Sequence, residues 1–174
     1  MLLVNLYGAP GTGKSTGAAY IYSKLKLDEI NCELVTEFAK DMVWDENKKA
    51  IYNQAYVFGN QYYRISRLEN EVDVVVTDSP TLLSIIYNKD RRLGKEFTDL
   101  VKSVSLSYEN RLDILLRRVK QYKTVGRLQN EEQSDKLYNE IKDLLDIVNP
   151  EYEIVEATQN GYEKVIEIIK EKLH

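Results

Sequence analysis

The nine residues Gly8-Ala9-Pro10-Gly11-Thr12-Gly13-Lys14-Ser15-Thr16 constrain this chain more than any other stretch. They contain the pattern G-x-x-x-x-G-K-[ST] and directly follow Leu2-Leu3-Val4-Asn5-Leu6-Tyr7, an apolar run that reads as a strand. Slung between a strand and a helix N-terminus, such a loop turns backbone N–H groups inward around phosphate oxygens. The glycines permit the turn, and a helix beginning near Lys14 adds its positive dipole end. Lys14 supplies a cation for the terminal phosphates, and the Ser15 hydroxyl is placed to ligate Mg²⁺. The pattern predicts a phosphate-binding loop that holds a nucleoside triphosphate. The alternative is an ordinary Gly-rich turn, and the strand–loop–helix setting argues against it.

At 174 residues the chain is expected to form one domain, 1–174, with a single core. Hydrophobic residues at 43% and charged residues at 30% make a soluble globular balance. No apolar run approaches the roughly twenty residues that a membrane-spanning helix needs. The first strand begins at once, so no signal or transit peptide is expected. Cys32 stands alone, which excludes an intrachain disulfide and a thiolate zinc site, and a cytoplasmic location is expected. The net charge of -4 argues against long non-specific tracking on duplex DNA, although a local basic site stays possible.

Strand-like and helix-like segments alternate, the pattern of a parallel sheet with crossover helices. Lys14 to about Lys26 reads as a helix with Ala18, Ala19, Ile21, Tyr22 and Leu25 facing inward, and Cys32–Thr36 as a short strand. A long helical region from Phe38 to Leu68 is expected to break around Asp45-Glu46-Asn47. Val72–Thr77 is the strongest strand, its β-branched run suited to a central position. Pro80 is expected to open a helix through Tyr87, followed by a helix from Phe97 to Leu106 and a strand from Arg111 to Leu116. A basic stretch over about 117–130 precedes an amphipathic helix ending at Val148, a strand over Tyr152–Val155 and a helix over Tyr162–Leu173. These elements assemble as an α/β three-layer sandwich of P-loop kinase type, with a five-stranded parallel sheet and a lid after the fourth strand. Ligands are then expected at the carboxyl ends of the strands.

The other strand ends separate the kinds of protein that carry such a loop. A GTPase needs N-K-x-D, and Asn88-Lys89-Asp90 has the wrong spacing. A hydrolase of the AAA type usually follows its strand with an acidic pair whose second carboxylate activates water. Here Val76-Thr77-Asp78-Ser79-Pro80 carries one carboxylate and no glutamate after it. Kinases position an acceptor hydroxyl and avoid activating water, which fits better. Asp78 is expected to hold Mg²⁺ directly or through water, together with Ser15, with helix N-capping as its alternative or additional role. Glu37 ends the second strand and is the candidate general base, with Asp41, four residues on, as the second candidate. A solvated first-turn acid is the bland alternative for both.

Arg117-Arg118-Val119-Lys120, Lys123 and Gly126-Arg127 stand where a lid would close on a transferring phosphate. Arg118 and Arg127 are the expected phosphate contacts, with Arg117 as substitute for Arg118 and a solvated basic loop as the alternative. Between Lys48 and Leu68, Ile51, Ala55, Phe58, Tyr62 and Ile65 form an expected apolar stripe, so Tyr52, Tyr56, Phe58, Tyr62 and Tyr63 read mostly as core. Gln54 and Gln61 on the same helix are candidates to hydrogen-bond a nucleobase edge, with a tyrosine stacking on its face.

Leu6 to Thr16, Glu33-Leu34-Val35-Thr36-Glu37-Phe38-Ala39-Lys40-Asp41, Val76 to Pro80, and Arg118-Val119-Lys120-Gln121-Tyr122 through Gly126-Arg127 together resemble phage-encoded P-loop kinases. Within that group they are most similar to the 5-hydroxymethyl-deoxyuridine DNA kinases. More distantly, the Glu-Phe-Ala-Lys-Asp segment is similar to nicotinamide riboside kinases, and the strand-2 glutamate with a later Asp-Ser to deoxyribonucleoside kinases. The resemblance implies ATP as donor, Mg²⁺ as cofactor, a phage-infected bacterial cell as setting, and 5-hydroxymethyluracil in DNA as acceptor. The remaining alternatives are a kinase of free nucleosides or nucleoside monophosphates, and a nucleotide-binding regulatory module.

Overall fold

The computed structural model describes residues 1–119 and 131–173. In chain order the elements are β1 (Leu2–Tyr7), α1 (Lys14–Leu27), β2 (Cys32–Val35), α2 (Phe38–Trp44), α3 (Lys48–Tyr52) and α4 (Gln54–Ser66). There follow β3 (Val74–Thr77), α5 (Leu83–Tyr87), α6 (Lys95–Leu106), β4 (Arg111–Arg117), α7 (Glu131–Val148), β5 (Glu153–Glu156) and α8 (Gln159–Leu173). The strands form one sheet in the order β2-β3-β1-β4-β5, and every adjacent pair is parallel.

Strand β1 is buried at all six positions, as a central strand covered on both faces must be. Its side chains alternate between two packed layers. Leu2, Val4 and Leu6 meet Ala18, Ile21 and Leu25 of α1 and Val165, Ile166 and Ile169 of α8. On the opposite face Leu3 packs with Ile65 of α4, while Tyr7 joins Phe58, Phe97, Ile141 and Leu145 from α4, α6 and α7. Polar groups also enter this core. Asn5 and Asp113 are neighbours in register, and Asn5 Nδ2 donates to Asp113 Oδ1 at 2.8 Å. Asp113 Oδ2 accepts from Arg111 Nε at 3.2 Å and from Asn149 Nδ2 at 2.6 Å, so the buried carboxylate is well supplied with donors.

Several boundaries differ from expectation for local reasons. The helical region after Phe38 breaks near Asp45–Asn47 as expected, and again at Asn53. The side-chain oxygens of Asn47 and Asn53 accept from Ala50 N and Tyr56 N, each at 3.1 Å, so each asparagine caps a new helix. Strand β3 starts at Val74 rather than Val72, where Asp73 N and Val74 N both reach Asn31 O. Pro80 does not open α5 directly; Leu83 N and Ser84 N bond back three residues to Pro80 O and Thr81 O, a tight turn before the helix at Leu83. Ala19 is exposed, and the inner face of α1 uses Gly17 instead.

The expected stripe on α4 is displaced. Ala55 and Tyr62 are exposed, and the buried positions are Gln54, Val57, Phe58, Gln61 and Ile65. Of the aromatics expected in the core, only Phe58 is buried, at 5% exposure, while Tyr52 and Tyr63 stand 67% and 64% exposed.

Candidate active site

Because all five strands run the same way, their carboxyl ends share one edge of the sheet. The phosphate-binding loop leaves β1 there. Thr77 at the end of β3 is level with Asn5 of β1 and Val35 of β2, which brings Asp78 and Glu37 to the same edge as the loop.

Side chains from distant parts of the chain hold the loop in shape. Thr12, buried, donates to Ala9 O through both its backbone N, at 3.2 Å, and its Oγ1, at 2.8 Å. Gly8 (φ 151°) must lack a side chain, since a Cβ there would sit 2.6 Å from Thr12 Oγ1. Gly13 (φ 103°) is left-handed and opens α1, so the first N–H groups of the helix face the loop. From α8, Tyr162 OH donates to Gly13 O at 3.2 Å, and from α7 Ser134 Oγ donates to Pro10 O at 2.8 Å. The Lys14 ammonium lies against the loop, donating to Gly8 O at 2.7 Å and Ala9 O at 3.3 Å.

Two carboxylates border this cradle. Asp78 is 3% exposed, and its Oδ1 has no hydrogen-bond partner among the described residues. A buried carboxylate oxygen without a donor is costly, and a cation would satisfy it. Among the described residues no group of three or more His, Cys, Asp or Glu could hold a metal by itself. An ion held by Asp78 and Ser15 would therefore take its other ligands from phosphates and water, as Mg²⁺ commonly does. The donor set fits.

Glu37, half-buried, is the N-cap position of α2 and makes no side-chain cap bond there. Burial pushes its carboxyl above the ordinary glutamate range. The charges of Asp78 and Asp41 act in the same direction, and those of Lys14 and Lys40 oppose it. Glu37 thus lies within electrostatic reach of both Lys14 and Asp78. The Tyr87 hydroxyl, at the end of α5, is raised well above its ordinary value, first by burial and then by Glu37.

The other candidates are more committed to the protein. Asp41 pairs with Arg64 Nη2 at 2.5 Å, so the second candidate base is engaged in an ion pair with α4. Gln61 is 2% exposed. Its Oε1 accepts from Phe38 N at 2.9 Å, and its Nε2 donates to Thr36 O and Thr77 Oγ1, each at 3.4 Å. The expectation that Gln61 reads a base edge gives way, because the amide is occupied at both ends by the chain itself. Gln54 is also buried and donates from Nε2 to Ile51 O at 3.1 Å. Arg118 pairs with Glu131 at 3.2 Å and Asp135 at 2.6 Å in the first turns of α7, and Arg117 pairs with Glu156 at 2.6 Å. Both arginines, expected as phosphate contacts, are thus engaged in ion pairs with later elements. Arg127, with Lys120, Lys123 and Gly126, lies outside the described residues.

Tyr162, Ser134 and Tyr87 went unnoticed in the sequence. No local signal marks them: Tyr162 and Ser134 touch the loop from 149 and 124 residues away.

A family profile described as an AAA domain matches residues 3–164. No curated protein matches the sequence. Among solved structures the chain is similar to a deoxyadenosine kinase from M. mycoides, determined with the products dCMP and a flexible dCDP bound. The two share 20% identity, 98% of each chain is covered, and the TM-score is 0.59. At that identity the likeness is one of fold: an α/β P-loop kinase fold built on a five-stranded parallel sheet flanked by helices.

Proposed function

The chain belongs to the AAA domain family, matched over residues 3–164, and from its P-loop kinase fold and the carboxylates beside the loop we propose that it is an ATP-dependent kinase, moving the γ-phosphoryl group to a hydroxyl of a nucleoside-like acceptor. The observation that carries this reading is Glu37: a carboxylate with raised proton affinity, at the end of β2, within electrostatic reach of Lys14 of the loop and of Asp78. A loop that only held nucleotide would have no use for such a group there, whereas phosphoryl transfer to an alcohol uses a base for the acceptor hydroxyl.

In this reading the loop amides and Lys14 hold the phosphates. Ser15 and Asp78 hold Mg²⁺, which when bound neutralises phosphate charge. Glu37 takes the acceptor proton, the freed oxygen attacks the γ-phosphorus, and ADP leaves. Arg127, the candidate contact for the transferring phosphate, lies outside the described residues, and Arg118, the other candidate, pairs with Glu131 and Asp135. Asp78 is followed by Ser79 and Pro80, so the strand end lacks the second acid with which AAA-type hydrolases activate water.

The acceptor we favour is 5-hydroxymethyluracil in DNA, supported by the resemblance of residues 33–41 and 118–127 to kinases that act on that base. The likeness to deoxyadenosine kinase favours a second reading, in which free deoxynucleosides are the acceptors. Incubation with γ-labelled Mg-ATP and a panel of hydroxymethyluracil DNA, unmodified DNA, free nucleosides and monophosphates separates the two. Label confined to the modified DNA supports the first, and label confined to small molecules the second. ATP binding without label in any acceptor would replace both with a regulatory module. Glu37→Gln is expected to lower turnover by about 10²-fold with ATP affinity kept; full turnover would remove Glu37 from the base role.

A further inference from the structure

We propose that Gln61 is a positioning residue for this reaction: its one amide holds the turn that carries Glu37 and the strand end that carries Asp78 in fixed relation. The inference rests on the kinase reading above.

The geometry is a two-point grip. Thr36 O and Phe38 N are the backbone groups on either side of Glu37, and Gln61 takes both, accepting from Phe38 N at 2.9 Å and donating to Thr36 O at 3.4 Å. Glu37 is thereby held between two tethered peptide groups in an extended conformation (φ -60°, ψ 116°). The second N–H of the same amide reaches Thr77 Oγ1 at 3.4 Å. Thr77 Oγ1 in turn accepts from Ser79 N at 3.1 Å, so the hydroxyl spans the backbone of Asp78 as the amide spans that of Glu37. Gln61 is 2% exposed, Thr77 0% and Asp78 3%, so the bonds from Phe38 N and to Thr77 Oγ1 are buried, while that to Thr36 O is partly so. Arg64, one turn further along α4, reinforces the grip by donating to Thr36 O at 3.5 Å and pairing with Asp41. Neither Gln61 nor Thr77 needs to touch a substrate to matter. A base and a phosphate-side carboxylate on separate strands depend on such a cross-tie for their spacing, and an error of about 1 Å in reacting geometry costs up to about 10²-fold in rate.

The test uses Gln61→Met, which keeps length and apolar bulk, and Thr77→Val, which removes the cross-tie together with the acceptor of Ser79 N. Two measurements are made, one of which needs no acceptor. In backbone hydrogen exchange, Gln61→Met is expected to speed exchange at Phe38 at least tenfold, and Thr77→Val to do so at Ser79, while the interior amides of α4 keep their protection. Unchanged exchange at both sites overturns the clamp. In turnover with hydroxymethyluracil DNA and with deoxyadenosine, both variants are expected to lose about 10- to 100-fold in kcat with KM for ATP within twofold of the parent. The loss should vanish in the Glu37→Gln background, since a displaced base that is already absent costs nothing further. Full kcat in both single variants, or losses that simply multiply with that of Glu37→Gln, overturn the proposal. Gln61→Met failing to fold leaves Thr77→Val to decide. Should Glu37→Gln itself keep full turnover, the base assignment falls, while the exchange measurement still decides whether the clamp exists.

Discussion

Replacing Gly17 with alanine sets two effects of known size against each other. Gly17 lies in the second turn of α1, its N–H bonded to Gly13 O at 2.8 Å. Helix propensity alone favours the change, since alanine inside a helix is about 0.5–1 kcal/mol better than glycine. Packing opposes it. A Cβ at residue 17 would stand 2.6 Å from Cε1, 3.0 Å from Cδ1 and 3.1 Å from Cζ of Tyr162. That ring is 5% exposed and sits in the cluster of β1, α1 and α8, with its hydroxyl on Gly13 O. With the ring buried and its hydroxyl tied to Gly13 O, the methyl is expected to displace it. Overpacking of this kind costs about 1–3 kcal/mol, which leaves a net loss of about 1 kcal/mol. For a chain of this length that lowers Tm by about 2–4 °C. Thermal unfolding followed by circular dichroism measures it, and an ATP titration alongside should show weaker binding, because the displaced ring also backs Gly13. In a Tyr162→Leu background the clash disappears and the same Gly17→Ala change should raise Tm. A higher Tm for Gly17→Ala in the otherwise unchanged protein would refute the reasoning.

Two further outcomes are expected. Glu37→Gln should stabilise the fold near neutral pH and not under acid. With its folded pKa raised, the native state binds the extra proton, so stability contributed by neutral Glu37 is present at low pH and lost as pH rises through the folded value. Unfolding measured from pH 4 to 8 should show the variant gaining on the parent as pH rises, and a constant difference would contradict the burial of this carboxyl. Asp113→Ala should cost about 3–5 kcal/mol by leaving the amides of Asn5 and Asn149 without an acceptor and Arg111 without its charge partner, as expected for one lost partner of a buried ion pair. Urea unfolding checks it, and a loss under about 1 kcal/mol would mean the network is replaceable by water.

The strands and the loop were legible because their signals are local: an apolar run, a glycine pattern, a β-branched triplet at Val74-Val75-Val76. The order of elements follows from alternation, and β1 and the start of α1 fall where the residues put them. Reading stripes of hydrophobic residues fails where polar side chains are buried. On α4 the expected face ran through Ala55 and Tyr62, yet the interior takes Gln54 and Gln61, whose amides are satisfied by backbone groups that a sequence does not display. The same blindness covered the ion pairs of Arg117 and Arg118, because the acids that meet them, Glu156, Glu131 and Asp135, return from later elements. Asn53 ended a helix by capping the next one, a signal visible in principle but masked by the aromatics around it.

The support that Tyr162 and Ser134 give the first glycine loop also orders events in time. A ribosome delivers residues 8–16 early, when neither α7 nor α8 has been made. The loop then has its glycines and its lysine but no wall behind Gly13 and no anchor on Pro10. On the proposed reading, nucleotide capture therefore waits for α7 and α8, which brace the loop through Ser134 and Tyr162.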